Sequence, residues 1–343
     1  MTFTHGELFA GLGGFAQAAH RAGFETLWAN EMESSPSNFY KANFPAVEHF
    51  TCPLEMAVPH IIQIPVDVIS AGFPCQPFSY AGPRKMQLDA RSEPIFLLDN
   101  ILNGLKDRKP KFIILENVRG FYSKDNPVLP ALENLLRHHG YFIPINGMLL
   151  ASLNEMSVIP QARVRFVALA CRVDLFPAFR FSQKYIPLQT TNFTFDHFVD
   201  FDQDYDAHEI AEDNKYGKLL RKKIEEKQAD GENPQEYMFQ IRKTYARVLN
   251  KGVCPTLTAN MGLGGHNVPF ILTNTGRIRR LTPHECANLQ GFDPDYSFGE
   301  LKTWSPIYKA IGNSVAVPMF EPIYRELFEY LKIYAEMNQR QIA

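Results

Sequence analysis

The first half of the chain repeats one pattern. A short apolar run gives way to a polar or glycine-bearing junction, and a segment with helical spacing follows. The runs at 66–69 and 111–115 read as buried parallel strands. Shorter runs end at Phe9 and cover 26–29, 141–145 and 166–170. Between them, helices are expected at 15–21, 36–43, 95–105 and 128–139. Strand and helix in alternation predict a parallel, doubly wound α/β sheet. From about residue 181 the rhythm stops, and aromatics, acids and then basic residues take over. Thr282 followed by Pro283 and Glu285 marks a helix start, and that helix stops at Gly291-Phe292. An amphipathic helix is expected over 320–337.

In open α/β sheets, ligands sit beyond the carboxyl ends of the strands. The residues at those ends are therefore the candidates for chemistry. Phe9-Ala10-Gly11-Leu12-Gly13-Gly14 joins a strand to a helix through glycines, which is the arrangement that docks a nucleotide-like ligand. Its spacing is G-x-G-G, not the dinucleotide G-x-G-x-x-G. The next strand ends in Asn30-Glu31, an acid about 20 residues on, where a ribose diol is gripped in such folds. The run at 66–69 empties into Gly72-Phe73-Pro74-Cys75-Gln76-Pro77-Phe78-Ser79, where two prolines stiffen a loop carrying a thiol. As thiolate, Cys75 is a nucleophile; as an ordinary free cysteine, it is a small buried hydrophobe. A polar stretch at 81–92 has the length of a lid. The run at 111–115 ends in Glu116, a group that can protonate a substrate ring or simply cap and solvate. In Gln161-Ala162-Arg163-Val164-Arg165 the arginines alternate, so strand periodicity would set both on one face as a donor fork. A surface ion-pair arrangement is the plainer reading.

Charge changes this picture. The net charge of −2 conceals a segment, 214–280, with thirteen Lys/Arg and five Asp/Glu, so the remainder carries −10. Eight acids and no Lys or Arg fall in 196–213. A chain of this kind can hold a phosphate backbone with its basic segment. Within that segment, 254–267 is glycine-rich and polar, suited to reading base edges along a groove. The five cysteines are odd in number and scattered, with no zinc spacing, so no metal and a reducing compartment are expected. No leader pattern and no apolar run near the roughly 20 residues of a membrane span are present, so no membrane partner is expected.

Seven pieces in fixed order carry a resemblance: the Phe9–Phe15 glycine turn, Asn30-Glu31, Gly72-Phe73-Pro74-Cys75-Gln76, Glu116-Asn117-Val118, Gln161-Ala162-Arg163-Val164-Arg165, Arg280-Leu281-Thr282-Pro283-His284-Glu285-Cys286 with Gln290-Gly291-Phe292, and Gly312-Asn313-Ser314-Val315. Together they resemble the DNA (cytosine-5) methyltransferases of bacterial restriction–modification systems. The resemblance implies a Rossmann-like, mostly parallel sheet with a second, smaller DNA target-recognition domain. It implies a catalytic and cofactor-binding domain over 1–180, target recognition over 181–305, and a segment, 306–343, returning to the first domain. Cys75 would add to C6 of a flipped-out cytosine, Glu116 would serve N3, Arg165 would donate to O2, and Arg163 would favour the thiolate. S-adenosylmethionine would lie on Phe9, Gly11, Leu12, Gly13, Gly14, Glu31, Met32, Pro74, Asn313 and Ser314. Met32 stands where the family usually has a large aromatic, Thr51-Cys52-Pro53 where it usually has Gly-Asp, and Arg91-Ser92 where it commonly has Arg-Gly. Duplex DNA would be held by Ser79, Arg84, Arg91, Thr256, Leu257, Thr258, Asn260, Gly264 and Arg279. A monomer in the bacterial cytoplasm, with a separately encoded restriction endonuclease as counterpart, is the expected setting. A tRNA-cytosine methyltransferase, a nicotinamide-dependent oxidoreductase and an inactive DNA-binding module are the alternatives. The long segment between Arg165 and Arg277 favours DNA, and the oxidoreductase leaves Cys75, Glu116 and Arg165 without work.

Overall fold

The computed structural model describes residues 2–73, 94–123, 128–156, 159–182, 195–211, 213–242, 244–263, 267–300 and 303–342. Pro74, Cys75, Ser79, Arg84, Arg91 and Gly264, with the lid expected over 81–92, lie outside the described residues. The chain divides into two compact units. The first comprises Met1–Ala151, Val164–Ile186 and Met319–Ala343; the second comprises Ser152–Arg163 and Pro187–Pro318. The limits of these units lie after 186 and 318, and a short excursion, Ser152–Arg163, belongs to the second unit.

The first unit is built on β1 (Phe3–Leu8), β2 (Phe24–Asn30), β3 (Glu48–Phe50), β4 (Val68–Gly72), β5 (Phe112–Val118), β6 (Tyr141–Phe142) and β7 (Met148–Ser152). After β8 (Gln161–Ala162), which belongs to the second unit, β9 (Val164–Arg172) completes the sheet. The order is β3-β2-β1-β4-β5-β9-β6, with β7 beside β9. Pairing is parallel from β3 through β5 and antiparallel where β9 meets β5 and β6. In β4 and β5 nearly every residue is buried, as expected of strands covered on both faces. The strand expected over 141–145 stops at Phe142, shortly before Pro144, which cannot donate to a ladder. Helices α1 (Gly14–Arg21), α2 (Ser34–Asn43), α3 (Leu54–Ile61), α4 (Pro94–Leu105) and α5 (Val128–His138) alternate with the strands. Strand order reverses between β1 and β4, so their carboxyl ends flank the crevice where ligands bind.

In the second unit, α6 (Leu153–Met156) precedes β8, and α7 (Lys215–Ala229) covers a four-stranded sheet. That sheet runs β11-β10-β13-β14, from β10 (Phe239–Arg242), β11 (Tyr245–Val248), β13 (Phe270–Leu272) and β14 (Ile278–Arg280); β12 (Cys254–Pro255) pairs with β8. Leu220 and Ile224 of α7 pack on Phe239, Ile241 and Phe270. Helix α8 (Pro283–Asn288) has the expected start: Thr282 and Glu285 form a reciprocal capping box. It is followed by α9 (Ser305–Asn313).

The last helix, α10 (Val317–Ile342), places Tyr324 against the sheet of the first unit. A buried polar chain runs from Ser70 Oγ to the Tyr324 hydroxyl, to His5 Nε2 at 2.9 Å, and from His5 Nδ1 to Thr26 Oγ1 at 2.9 Å. Burial pushes the His5 imidazole down to about 3, so the ring is neutral and serves as one donor and one acceptor. No helix among the described residues is long and apolar enough to cross a membrane.

Candidate active site

The glycine turn follows β1. Phe9 has φ 56° and Gly11 has φ 54°, so the chain turns sharply as it leaves the sheet. A side chain added at Gly11 would meet no atom within 4 Å, so the turn borders open space. Glu31 stands at the end of β2, and its carboxylate accepts from Gly11 N–H at 3.0 Å and Glu33 N–H at 2.8 Å. Each oxygen keeps a second lone-pair direction, enough for a vicinal diol. Burial, above all, raises the Glu31 carboxyl above the usual range. Met32 beside it is 68% exposed, offering an apolar platform without an aromatic ring. Room beside the glycines, a ribose-competent carboxylate and an exposed apolar side chain fit S-adenosylmethionine. Leu12, expected on the cofactor, is wholly buried.

One part of the sequence reasoning needs correction. The amides opening α1 are not left for a ligand: the buried Glu7 carboxylate accepts from Phe15 N–H at 3.3 Å and Ala16 N–H at 3.1 Å. Burial pushes the Glu7 carboxyl up to about 8. The sequence did carry a signal: a lone acid inside a strand, just before the glycines, must find donors if the strand is buried.

At the carboxyl edge of β5, Glu116 Oε1 lies 3.1 Å from Arg165 Nε on the neighbouring β9. Both side chains are nearly buried, so this is a shielded pair rather than a solvated one. The next residue, Asn117, is buried and donates from Nδ2 to the Phe73 carbonyl at 3.0 Å. It thereby fixes the chain at the last described residue before Pro74 and Cys75. Sequence reasoning quoted Asn117 in its motif without giving it a task.

Arg163 and Arg165 do not form the expected fork. Residue 163 lies between β8 and β9, outside both, so strand alternation does not run through it. Arg163 is buried in the second unit, where it donates to the carbonyls of Leu257 at 2.9 Å, Gly312 at 3.4 Å and Ser314. Its role there is to join the segment read as DNA-contacting to the turn read as cofactor-contacting. Gln161 and Gln290 reinforce the joint: Gln161 takes the Leu257 N–H at 3.2 Å, and Gln290 donates to the Ile311 carbonyl at 2.9 Å. A side chain at Gly312 would come within 2.0–2.4 Å of the Thr258–Ala259 backbone, so only glycine permits this approach. Asn313 is exposed and Ser314 is buried.

Among the residues expected on DNA, Thr258 and Asn260 are exposed, and Thr256 is half-buried with its hydroxyl on the Ala162 carbonyl. The Leu257 side chain is buried and cannot reach a groove. Arg279 must also be withdrawn. It is wholly buried, paired with Glu285 through two contacts of 2.8 Å, and bonded to the carbonyls of Gln203 and Asp200. Its charge braces α8 against the acidic segment instead of meeting phosphate. Burial also pushes the Cys171 thiol up to about 12 and raises Cys254 and Cys286, so none of these three is poised as a nucleophile.

The fold has near neighbours among solved structures. A methyltransferase of S. pombe, Dnmt2, superposes with a TM-score of 0.69 at 20% identity, covering 96% of this chain and 99% of that one. The Entamoeba histolytica methyltransferase EhMeth gives 0.68 at 18% identity, covering 96% and 99%. Residues 3–329 match the family described as C-5 cytosine-specific DNA methylase. Fold and family match together define an S-adenosylmethionine-dependent methyltransferase with a doubly wound sheet. The chain is similar to the Type II methyltransferase M.Bsp6I of Bacillus sp. (strain RFL6), at 32% identity over 331 residues covering 94% of this chain and 97% of that protein. It is also similar to the Type II methyltransferase M.HhaI of Haemophilus parahaemolyticus, at 28% over 333 residues, covering 92% and 91%. The chain belongs to the C-5 cytosine-specific DNA methylase family.

Proposed function

We propose that this enzyme methylates C5 of one cytosine within a specific duplex sequence, as the protective partner of a separately encoded restriction endonuclease, acting as a monomer on the cell's own DNA in the cytoplasm. The observation that carries the reading is the shielded Glu116–Arg165 pair at the sheet edge, with Asn117 fastened to the carbonyl of Phe73 at the approach to Cys75. A cytosine cannot reach such an edge from within a stacked duplex, so it is extruded at a cost of about a few kcal/mol. The Cys75 thiolate adds to C6. Glu116 delivers a proton to N3, and Arg165 donates to O2, so negative charge does not accumulate on the ring. C5 thereby becomes nucleophilic. When bound, S-adenosylmethionine supplies an electrophilic methyl group; Glu31, Met32 and the Phe9–Gly14 turn would hold it. Loss of the C5 proton to a solvent base, then elimination of the Cys75 thiolate with return of the N3 proton to Glu116, restore the aromatic ring. Arg163 takes the part of a brace within the second unit, which we assign to target recognition.

Sequencing for 5-methylcytosine in DNA from cells expressing this chain tests the reading. Near-complete methylation in one sequence context is expected. Unmodified DNA, or methylation confined to tRNA, would overturn it.

A further inference from the structure

The hairpin β10–β11 has one apolar and one polar face. Phe239, Ile241 and Ala246 enter the core beside α7. Gln240 lies directly opposite Arg247 in register, and Arg242 follows two residues along β10, so all three share the opposite face. Gln240 is only 5% exposed, and its Oε1 accepts from Arg247 Nη2 at 2.7 Å and Arg242 Nη2 at 3.1 Å. Two cations thus converge on one neutral oxygen. Among the described residues neither has an ion-pair partner. Other basic residues of the same unit are neutralised: Arg277 by Asp204, Asp206 and Glu209, Arg279 by Glu285, and Lys251 by Glu236. Like charges gathered this way repel, and an electron-rich partner relieves the repulsion.

Two features of the arrangement choose that partner. A two-stranded ribbon fits the major groove of B-DNA, and a guanidinium fork matches guanine O6 and N7. A side chain held from behind by a buried amide is set for geometry-dependent base reading, whereas a phosphate contact needs only charge. We propose that β10–β11 enters the major groove and that Arg242 and Arg247, gathered on Gln240, read guanine in the recognition sequence. This rests on the assignment of the second unit to target recognition.

The test uses the full chain and the duplex whose sequence the methylation map defines. Each guanine outside the target base pair is replaced in turn by 7-deazaguanine, which lacks the N7 acceptor. Wild-type binding is expected to fall roughly 5- to 150-fold at one or two of these positions, the range for a bidentate contact. Arg247→Ala and Arg242→Ala should each lose at least that factor on the natural duplex and a smaller one on the matching 7-deaza duplex, where only O6 remains to be read. The slope of log affinity against log salt should stay unchanged. If the variants weaken binding to all sequences alike and lower that slope by about one, the arginines hold phosphates and the proposal is overturned. Wild-type affinities and 7-deaza responses in both variants would overturn it too. A wild-type protein that methylates no DNA would instead overturn the underlying reading, and the inference with it.

Discussion

Replacing Glu31 by Ala isolates the cofactor site from the chemistry. The carboxylate accepts two backbone N–H groups, from Gly11 and Glu33, which fix it at the end of β2. Its remaining lone pairs are those we propose for ribose. A hydrogen bond to a charged group contributes about 1.5–3 kcal/mol, and each 1.4 kcal/mol is tenfold. Glu31→Ala should therefore raise the dissociation constant of S-adenosylmethionine roughly 10- to 150-fold, read by titration calorimetry without DNA. The 2′-deoxy cofactor analogue closes the cycle: it should bind wild type more weakly than the natural cofactor, but bind Glu31→Ala no more weakly. Sign matters for pH as well. Because burial raises the Glu31 carboxyl, cofactor affinity should be complete above that raised value. It should decline on acidification before the pH reaches the ordinary glutamate range, as protonation removes the acceptor. Binding within threefold of wild type, or equal sensitivity of both proteins to the missing hydroxyl, would refute the placement of ribose on Glu31.

Four other substitutions test the framework. Glu7, with its carboxyl pushed up to about 8, holds a proton in the fold that the unfolded chain releases, so it makes stability fall as pH rises from about 5 to 8. Glu7→Gln should flatten that slope in denaturant titrations across the window; an unaltered slope would place the titration elsewhere. Arg279→Met leaves Glu285 buried without its cation and should cost about 3–5 kcal/mol of stability. The salt dependence of DNA binding by the folded fraction should not move; a lower slope would return Arg279 to the phosphates. Gly312→Ala drives a methyl group into the Thr258–Ala259 backbone and should lower the melting temperature sharply. Gly120→Ala, whose added carbon meets nothing within 4 Å, should melt like wild type; similar melting of the two proteins would contradict the packing.

What the sequence disclosed follows from what each signal measures. Short, mainly apolar runs ending in polar or glycine junctions report buried strands, so β4 and β5 were visible before any coordinates. Runs carry no direction, so the antiparallel setting of β9 was not legible. Residues at strand ends were legible as a group, because a parallel sheet must present them together. Glu116 and Arg165 do meet, across adjacent strands. Arg279 and Arg163 show the limit of charge as a guide. Each looked available, yet partners as far as 151 positions away in the chain take up their donors. The boundary near 150–163 was also hidden, since a short excursion into the other unit leaves no compositional trace.

The central claim is that the Cys75 sulfur bonds to C6 of an extruded cytosine, and a 5-fluorocytosine duplex tests it most directly. Fluorine at C5 cannot leave as a proton does, so the adduct formed with bound methyl donor should persist. The account predicts a protein–DNA species that survives denaturing electrophoresis, whose tryptic peptide carries the pyrimidine on Cys75, and which is absent with Cys75→Ala. No such species from the active wild-type enzyme, or an undiminished one from Cys75→Ala, would contradict the account.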